Sequence, residues 1–396
     1  MEHEAFPKVE RDPVFGEGGA VRRPVDLFDP AFKANPYPTY AYLRDNAPVY
    51  RAELPDGQGM WLITRYDDVQ ALLKDDRFVK DLRNAKTPEE LERLPKQPEL
   101  LEQLAQNMLD LDEPHHTRLR GLVHQAFTPR LIEQMREKVR RIAEELLDAM
   151  EGKGEADLIT EYAYPLPITV IAEMLGILAE DRHLFRGWSD VIVGSSGILE
   201  PDESQLAATF ALADYFKALF AERRNRPKDD LLTALIRAEE AGDQLSEGEV
   251  LAMAFLLLIA GHETTVNLLG NGTLALLQHP EQREKLARDP GLIPGAVEEL
   301  LRYTSPVEMA TQRYAGETVE FGGSVIPRGE LVMAVLASAN RDPRRFAEPD
   351  ILDVERKNNR HLAFGSGVHF CLGAPLARLE GQIGLTACCV VCRTCV

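Results

Sequence analysis

No proline interrupts the chain between Ser246 and Gln278. Ser246 and Glu249 have the spacing of a capping box, in which each side chain satisfies a free backbone N–H at a helix start. The pattern therefore predicts one helix from Ser246 to Gln278, about 45 to 50 Å long at 1.5 Å per residue. A rod of that length crosses a whole domain, so the rest of the chain must pack around it.

Inside the predicted helix, Leu256-Leu257-Leu258-Ile259 runs straight into Ala260-Gly261-His262-Glu263-Thr264-Thr265. Polar side chains in an apolar helix cost free energy unless they are partnered, and Gly261 costs about 1 kcal/mol against alanine. Two readings stand. Thr264 bonds back to a carbonyl one turn earlier and bends the helix. Alternatively the helix widens into a groove against a cofactor, and Glu263 and Thr264 hand protons to a bound oxygen species.

Helical spacing also covers residues 35–48, 67–74, 114–126, 129–150, 181–193, 203–224, 229–241 and 294–303, and 156–175 with interruptions at Pro165 and Pro167. Strands are expected at 49–52 and 60–64, around the turn residues Pro55 to Gly57, and in a zone from 307 to 335. That zone carries hairpin signals at Phe321-Gly322-Gly323 and Pro327-Arg328-Gly329. Residues 81–107 have weak periodicity and read as a mobile loop with one short helix. The fold class is mainly α with a smaller β part, over residues 1–396 as a single domain.

The formal charge of −19, from 64 acidic and 45 basic residues, argues against nucleic acid or an anionic membrane as the main partner. The first sixteen residues lack an apolar core and read as neither signal peptide nor anchor. The apolar run 250–261 is too short to span a bilayer. A cytoplasmic chain with reduced thiols is expected. Of its five cysteines, Cys371 stands alone while Cys388, Cys389, Cys392 and Cys395 crowd the last nine residues.

Cys371 lies in the loop Phe364-Gly365-Ser366-Gly367-Val368-His369-Phe370-Cys371-Leu372-Gly373, just before a helix-prone run from Ala374. In isolation a buried structural thiol is the favoured reading. Against it, a helix N-terminus lowers a thiol's pKa, and the glycines let the backbone approach a flat ligand such as heme. Elsewhere, Glu299 and Arg302 stand three apart on one helix face, and Arg356 lies in a coil leading into the cysteine loop. They are a solvated pair or part of a buried Arg-Glu-Arg group. His116 and Arg120, four apart, join Arg313 and His369 as basic groups suited to a cofactor's carboxylates.

Together these segments resemble one family, the soluble bacterial cytochromes P-450, which are heme-thiolate monooxygenases. Its cysteine signature, Phe-Gly-x-Gly-x-His-x-Cys-x-Gly, is matched by Phe364, Gly365, Gly367, His369, Cys371 and Gly373. Its Ala-Gly-x-Glu-Thr-Thr motif is matched by Ala260, Gly261, Glu263, Thr264 and Thr265, and its Glu-x-x-Arg helix by Glu299 and Arg302. The resemblance covers about residues 26–380. It implies a single heme-containing domain with heme b (iron protoporphyrin IX), Cys371 as iron ligand and Phe364 packed beside it. It further implies His116, Arg120, Arg313 and His369 as propionate partners, Glu263 and Thr264 as the proton-delivery pair, and Arg356 as third member of the Glu299–Arg302 group. The implied reaction inserts one atom of dioxygen into a C–H bond of an organic small molecule. Ferredoxin and ferredoxin reductase would supply electrons to a monomeric enzyme, docking near the cysteine loop where Arg378 helps.

Asn267 and the pair Val307-Glu308 are similar to members that oxidise macrolides and other polyketides. Glu89, Glu90 and Glu92 are either a solvated acidic loop or a face for a cationic amino sugar. A peroxide-driven peroxygenase is the alternative enzyme reading, which the presence of Glu263 and Thr264 disfavours. After Glu380 the chain departs from the family pattern, as a truncated or frame-shifted member does, and Cys389, Cys392 and Cys395 have the spacing of an iron–sulfur or zinc site. An inactive heme-binding protein is the reading that follows from that departure.

Overall fold

The computed structural model describes residues 25–391 apart from 56, 125–126, 194–200 and 241–244. Its axis is the helix Glu247–Gln278, 32 residues long, with both hydrogen bonds of the Ser246/Glu249 capping box formed. Helices Pro165–Met174, Glu203–Asn225, Ile293–Thr304 and Ala374–Val391 pack around it. Close approach depends on glycine: a Cβ on Gly384 would meet Leu269 Cδ2 at 2.6 Å. The whole helix, unlike the 250–261 run, is long and apolar enough to cross a membrane, yet 56% of its most apolar window is buried inside the protein. It is the core helix, with Leu251, Met253, Leu258, Leu268 and Leu269 almost fully covered.

Among the described residues, seven strands make two sheets. Strands β1 (Val49–Glu53), β2 (Gly59–Ile63), β3 (Phe78–Val79), β4 (Arg313–Ala315) and β7 (Leu331–Ala334) form one, in the order β1-β2-β7-β4-β3. Strands β5 (Val319–Phe321) and β6 (Ser324–Ile326) form a separate hairpin across Gly322-Gly323. β2 and β7 are parallel, with Met60 opposite Leu331, so the late part of the chain returns to complete a sheet seeded early. All four residues of β7 are buried, as befits a central strand. This crossover corrects the second hairpin expectation, because the turn at Pro327-Arg328-Gly329 leads from the hairpin into the larger sheet and β6 pairs only with β5.

Three other expectations change. Residues 81–107 hold two α-helices, Pro88–Glu92 and Glu99–Leu104, and the second buries Leu100 and Leu104 against the core helix. The single helix expected at 129–150 is two, Pro129–Gln134 and Arg136–Met150, because the Met135 amide bonds three residues back to the Ile132 carbonyl at 3.0 Å and tightens the turn. Pro165 breaks the 156–175 segment as expected, whereas Pro167 does not break the helix that follows. They sit in the first turn of Pro165–Met174, where a missing N–H is harmless, after a π-helical turn at Ile159–Ala163. Cys392 and Cys395 lie outside the described residues, as does the end of the 114–126 segment.

Candidate active site

Between the core helix and the cysteine loop lies a cavity of about 250 Å³, with Ala260, Gly261 and Thr264 on one side and Phe364, Gly365, Cys371 and Gly373 on the other. The loop is shaped by its own backbone: Gly365 N–H bonds to Leu362 O at 2.8 Å, Phe370 N–H to Gly367 O at 3.0 Å and Cys371 N–H to Phe364 O at 2.9 Å. Gly367 has φ +75° and presses on the Leu73 carbonyl, so no side chain fits there. Cys371 is accessible from the cavity. Burial raises its thiol pKa, and the N–H groups of Gly373 and Ala374 with Arg120 and Arg378 only partly offset this. The helix start was expected to lower that pKa, but in the protein alone desolvation outweighs it.

On the opposite wall the Thr264 hydroxyl donates to Ala260 O at 3.3 Å. The helix stays α-helical through this turn, which corrects the expected widened groove: the threonine bonds back without opening the helix. Glu263 is half-buried, and burial, then Asp190, raises its pKa. Beside it His262 is fully buried, its Nδ1 bonded to Leu258 O at 2.7 Å and its Nε2 to Ser189 Oγ at 2.8 Å.

The basic groups converge at one edge. The rings of His116 and His369 lie 4.2 Å apart, and Arg120 Nη2 donates to Phe370 O at 2.7 Å. His369 is pushed down to about 3, first by burial and then by His116, Lys80, Arg313 and Arg120. Arg313, 4% exposed, is lowered by burial to about 10 and makes no ion pair among the described residues. His116 Nε2 is buried without a hydrogen-bond partner. His116 Nδ1 is held by Glu113 at 3.2 Å, which leaves Nε2 and the Arg313 guanidinium beside an apolar cavity, and these fit an anionic edge of a large apolar ligand.

Sequence reasoning missed Lys80 in this cluster. It is buried, donates to Thr311 Oγ1 and Gln312 O at 2.7 Å each, and burial followed by Arg313 lowers it to about 7. The Asp112 carboxylate draws it in by accepting the N–H groups of Lys80 and Asp81 at 2.8 and 3.0 Å, and the Asp112 carbonyl accepts the His116 amide. Nothing local distinguishes Lys80 from a surface lysine.

Glu299, Arg302 and Arg356 do form one buried group. Arg302 pairs with Glu299 through two bonds of 2.8 and 2.7 Å, and Arg356 Nε reaches Glu299 Oε1 at 3.0 Å. Arg302 also donates to the carbonyls of Asn340, Pro349 and Ile351, while Asn359 Nδ2 and Asp353 N–H complete the carboxylate's shell. This knot ties the helix Ile293–Thr304 to the coil that leads into the cysteine loop.

Glu380 was also missed, although a charge on the apolar face of helix Ala374–Val391 is a legible signal. It lines the cavity floor, and neither oxygen has a hydrogen-bond partner among the described residues. Burial raises it from 4.5 to about 8, and the nearby Thr265 hydroxyl, which makes no hydrogen bond with it within normal distance, does not offset this. Between those two values the folded state holds one more proton than the unfolded state. Stability is therefore fully present below pH 4.5 and is lost as pH rises through about 8, by about 1.4 kcal/mol per pH unit. Glu380→Gln removes this slope; chemical denaturation at about pH 6 and about pH 9 measures it.

The family model described as Cytochrome P-450 matches residues 189–289 and 292–389. The chain is 49% identical over 362 residues to cytochrome P-450 107B1 of Saccharopolyspora erythraea, covering 90% of this chain and 88% of the relative. It is 47% identical to the cytochrome P-450 monooxygenase PikC of Streptomyces venezuelae, over 90% of this chain and 83% of PikC. Among solved structures, the Bacillus subtilis bacillaene polyketide synthase cytochrome P-450 PksS superposes with TM-score 0.82 at 48% identity, covering 90% of this chain and 89% of that one. The family match runs nine residues beyond Glu380. With cavity, thiol and basic edge assembled as described, the chain belongs to the cytochrome P-450 family, the monooxygenases that carry heme b on a cysteine thiolate.

Proposed function

We propose that Cys371 is the thiolate ligand, that His116, Arg120, Arg313 and His369 hold the heme propionates with Phe364, Gly365 and Gly373 against the ring, and that the distal wall is Ala260, Gly261, Glu263 and Thr264. The observation that carries this is the placement of Cys371 and Thr264 on facing walls of one cavity, with the basic cluster and the orphaned His116 Nε2 at its edge. When bound, the heme supplies dioxygen activation at a thiolate-ligated iron. Thr264 presents a hydroxyl to the cavity, and half-buried Glu263, whose pKa is raised by burial and then by Asp190, is the neighbouring carboxyl that can hold and pass a proton.

The reaction is hydroxylation or epoxidation of a mostly apolar macrolide or polyketide. Support comes from the lining side chains Met108, Leu109, Phe127, Ile171, Leu256 and Val307, and from relatives such as the 6-deoxyerythronolide B hydroxylase of Saccharopolyspora erythraea, 42% identical. Glu89, Glu90 and Glu92 are exposed and away from the cavity lining, and Glu90 is committed to a capping box with Thr87, which favours the solvated reading. The enzyme is a cytoplasmic monomer over residues 1–396, served by ferredoxin and its reductase.

A spectral-shift screen of macrolides, steroids, terpenoids and fatty acids tests the substrate class: tight shifts confined to fatty acids contradict it. Turnover with ferredoxin, reductase and NAD(P)H should exceed turnover with peroxide. Thr264→Ala should keep consuming NAD(P)H while product per reducing equivalent falls about 10²-fold and peroxide appears; unchanged product yield would remove Thr264 from proton delivery.

A further inference from the structure

Behind the thiol lies a charge pair that none of the family motifs includes. Arg378, on helix Ala374–Val391, lays its guanidinium over the Phe364 ring with Cζ 4.6 Å from the centroid. Its Nε and Nη2 donate to the two oxygens of Glu298 at 2.7 and 2.9 Å. His361 is the third member: its Nδ1 accepts the Ala363 N–H at 3.2 Å, so its proton sits on Nε2 and is donated to Glu298 at 3.1 Å. The His361 ring stands 6.0 Å from the Phe364 ring. Phe364 is thus flanked by this group, and its carbonyl accepts the Cys371 amide.

Arg378 is therefore not a free cation waiting for a docking partner. Burial opposes the ionised form of Glu298, but Arg378 and His361 overcome it and bring the carboxyl down to about 2, so the pair stays charged at any working pH. Arg378 and Cys371 also feel each other: the guanidinium favours the thiolate, and the thiolate raises the Arg378 pKa. With side chains 34% and 27% exposed, the pair itself contributes little to stability. Its position matters more.

We propose that Arg378 and Glu298 set the electrostatic potential at the Cys371 thiolate, with Arg378 withdrawing charge across the face of Phe364 and Glu298 limiting how far. Both are positioning residues. A cation near the thiolate favours the ferrous state, which carries one more electron, and an anion disfavours it. Charge removal at the two positions must then have opposite effects, which loss of a merely structural contact would not produce.

The proposal rests on Cys371 being the iron ligand, and a thiolate-type reduced carbon monoxide spectrum of the native holoenzyme checks that reading first. The test is the ferric/ferrous midpoint potential of heme-loaded native protein, Arg378→Gln, Arg378→Lys, Glu298→Gln and the Glu298→Gln/Arg378→Gln double variant. Arg378→Gln should shift negative, Glu298→Gln positive, the double variant should return toward native, and Arg378→Lys should stay near native. If Arg378→Gln retains no heme, a positive shift in Glu298→Gln with a native value in Arg378→Lys supports the proposal. Shifts of one sign in both single variants, or no shift in Glu298→Gln with the thiolate spectrum intact, overturn it.

Discussion

Cys371→Ser yields a protein whose reduced carbon monoxide complex lacks the thiolate-type Soret band and whose turnover falls by at least about 10³-fold, roughly 4 kcal/mol of barrier. The thiol is a single group at the floor of the cavity, reached by the N–H groups of Gly373 and Ala374 and by the charges of Arg120 and Arg378. A serine oxygen occupies nearly the same place, so the loop's bonds to Phe364, Gly367 and Leu362 survive and the fold should hold. What disappears is electron donation to iron, because an alcohol stays protonated where a thiol coordinates as the thiolate. The variant's absorption spectrum and product formation, each normalised to heme content, check this. A variant with native turnover would place the ligand elsewhere.

Glu299→Ala has the largest expected effect on folding. Glu299 and Arg302 are both fully buried, and Arg356 shares the same carboxylate. Truncating the glutamate strands two guanidinium groups and the Asp353 amide in the interior. Breaking a buried pair in this way costs about 3–5 kcal/mol, a large part of a typical total of about 5–15 kcal/mol. The loss falls on the coil that feeds the cysteine loop, so heme retention should suffer with stability. Denaturation midpoints and heme content of purified Glu299→Ala measure both; a change below about 1 kcal/mol would mean the knot is solvated.

Much of this was legible because it is local. The capping box and the absence of proline marked the core helix, and glycines at 365 and 367 marked a loop whose backbone had to take positive φ. Glu299, Arg302 and Arg356 were legible only through their family pattern, since spacing alone favoured a surface pair. What escaped depended on distant parts of the chain meeting. β7 crosses back to β2, Asp112 pulls Lys80 into the basic edge, and Arg378 finds Glu298 across the helix packing. The thiol's raised pKa escaped for the same reason: a helix start is local, whereas desolvation belongs to the finished fold. The split at Met135 turned on a single hydrogen bond that no composition signals.

The most direct test of the account is the reduced carbon monoxide difference spectrum of the native, heme-loaded protein beside that of Cys371→Ser. The native protein should show the red-shifted thiolate-type Soret band and the variant should lack it. A native spectrum of the histidine or protonated-thiol type, or an unchanged band in the variant, would contradict this.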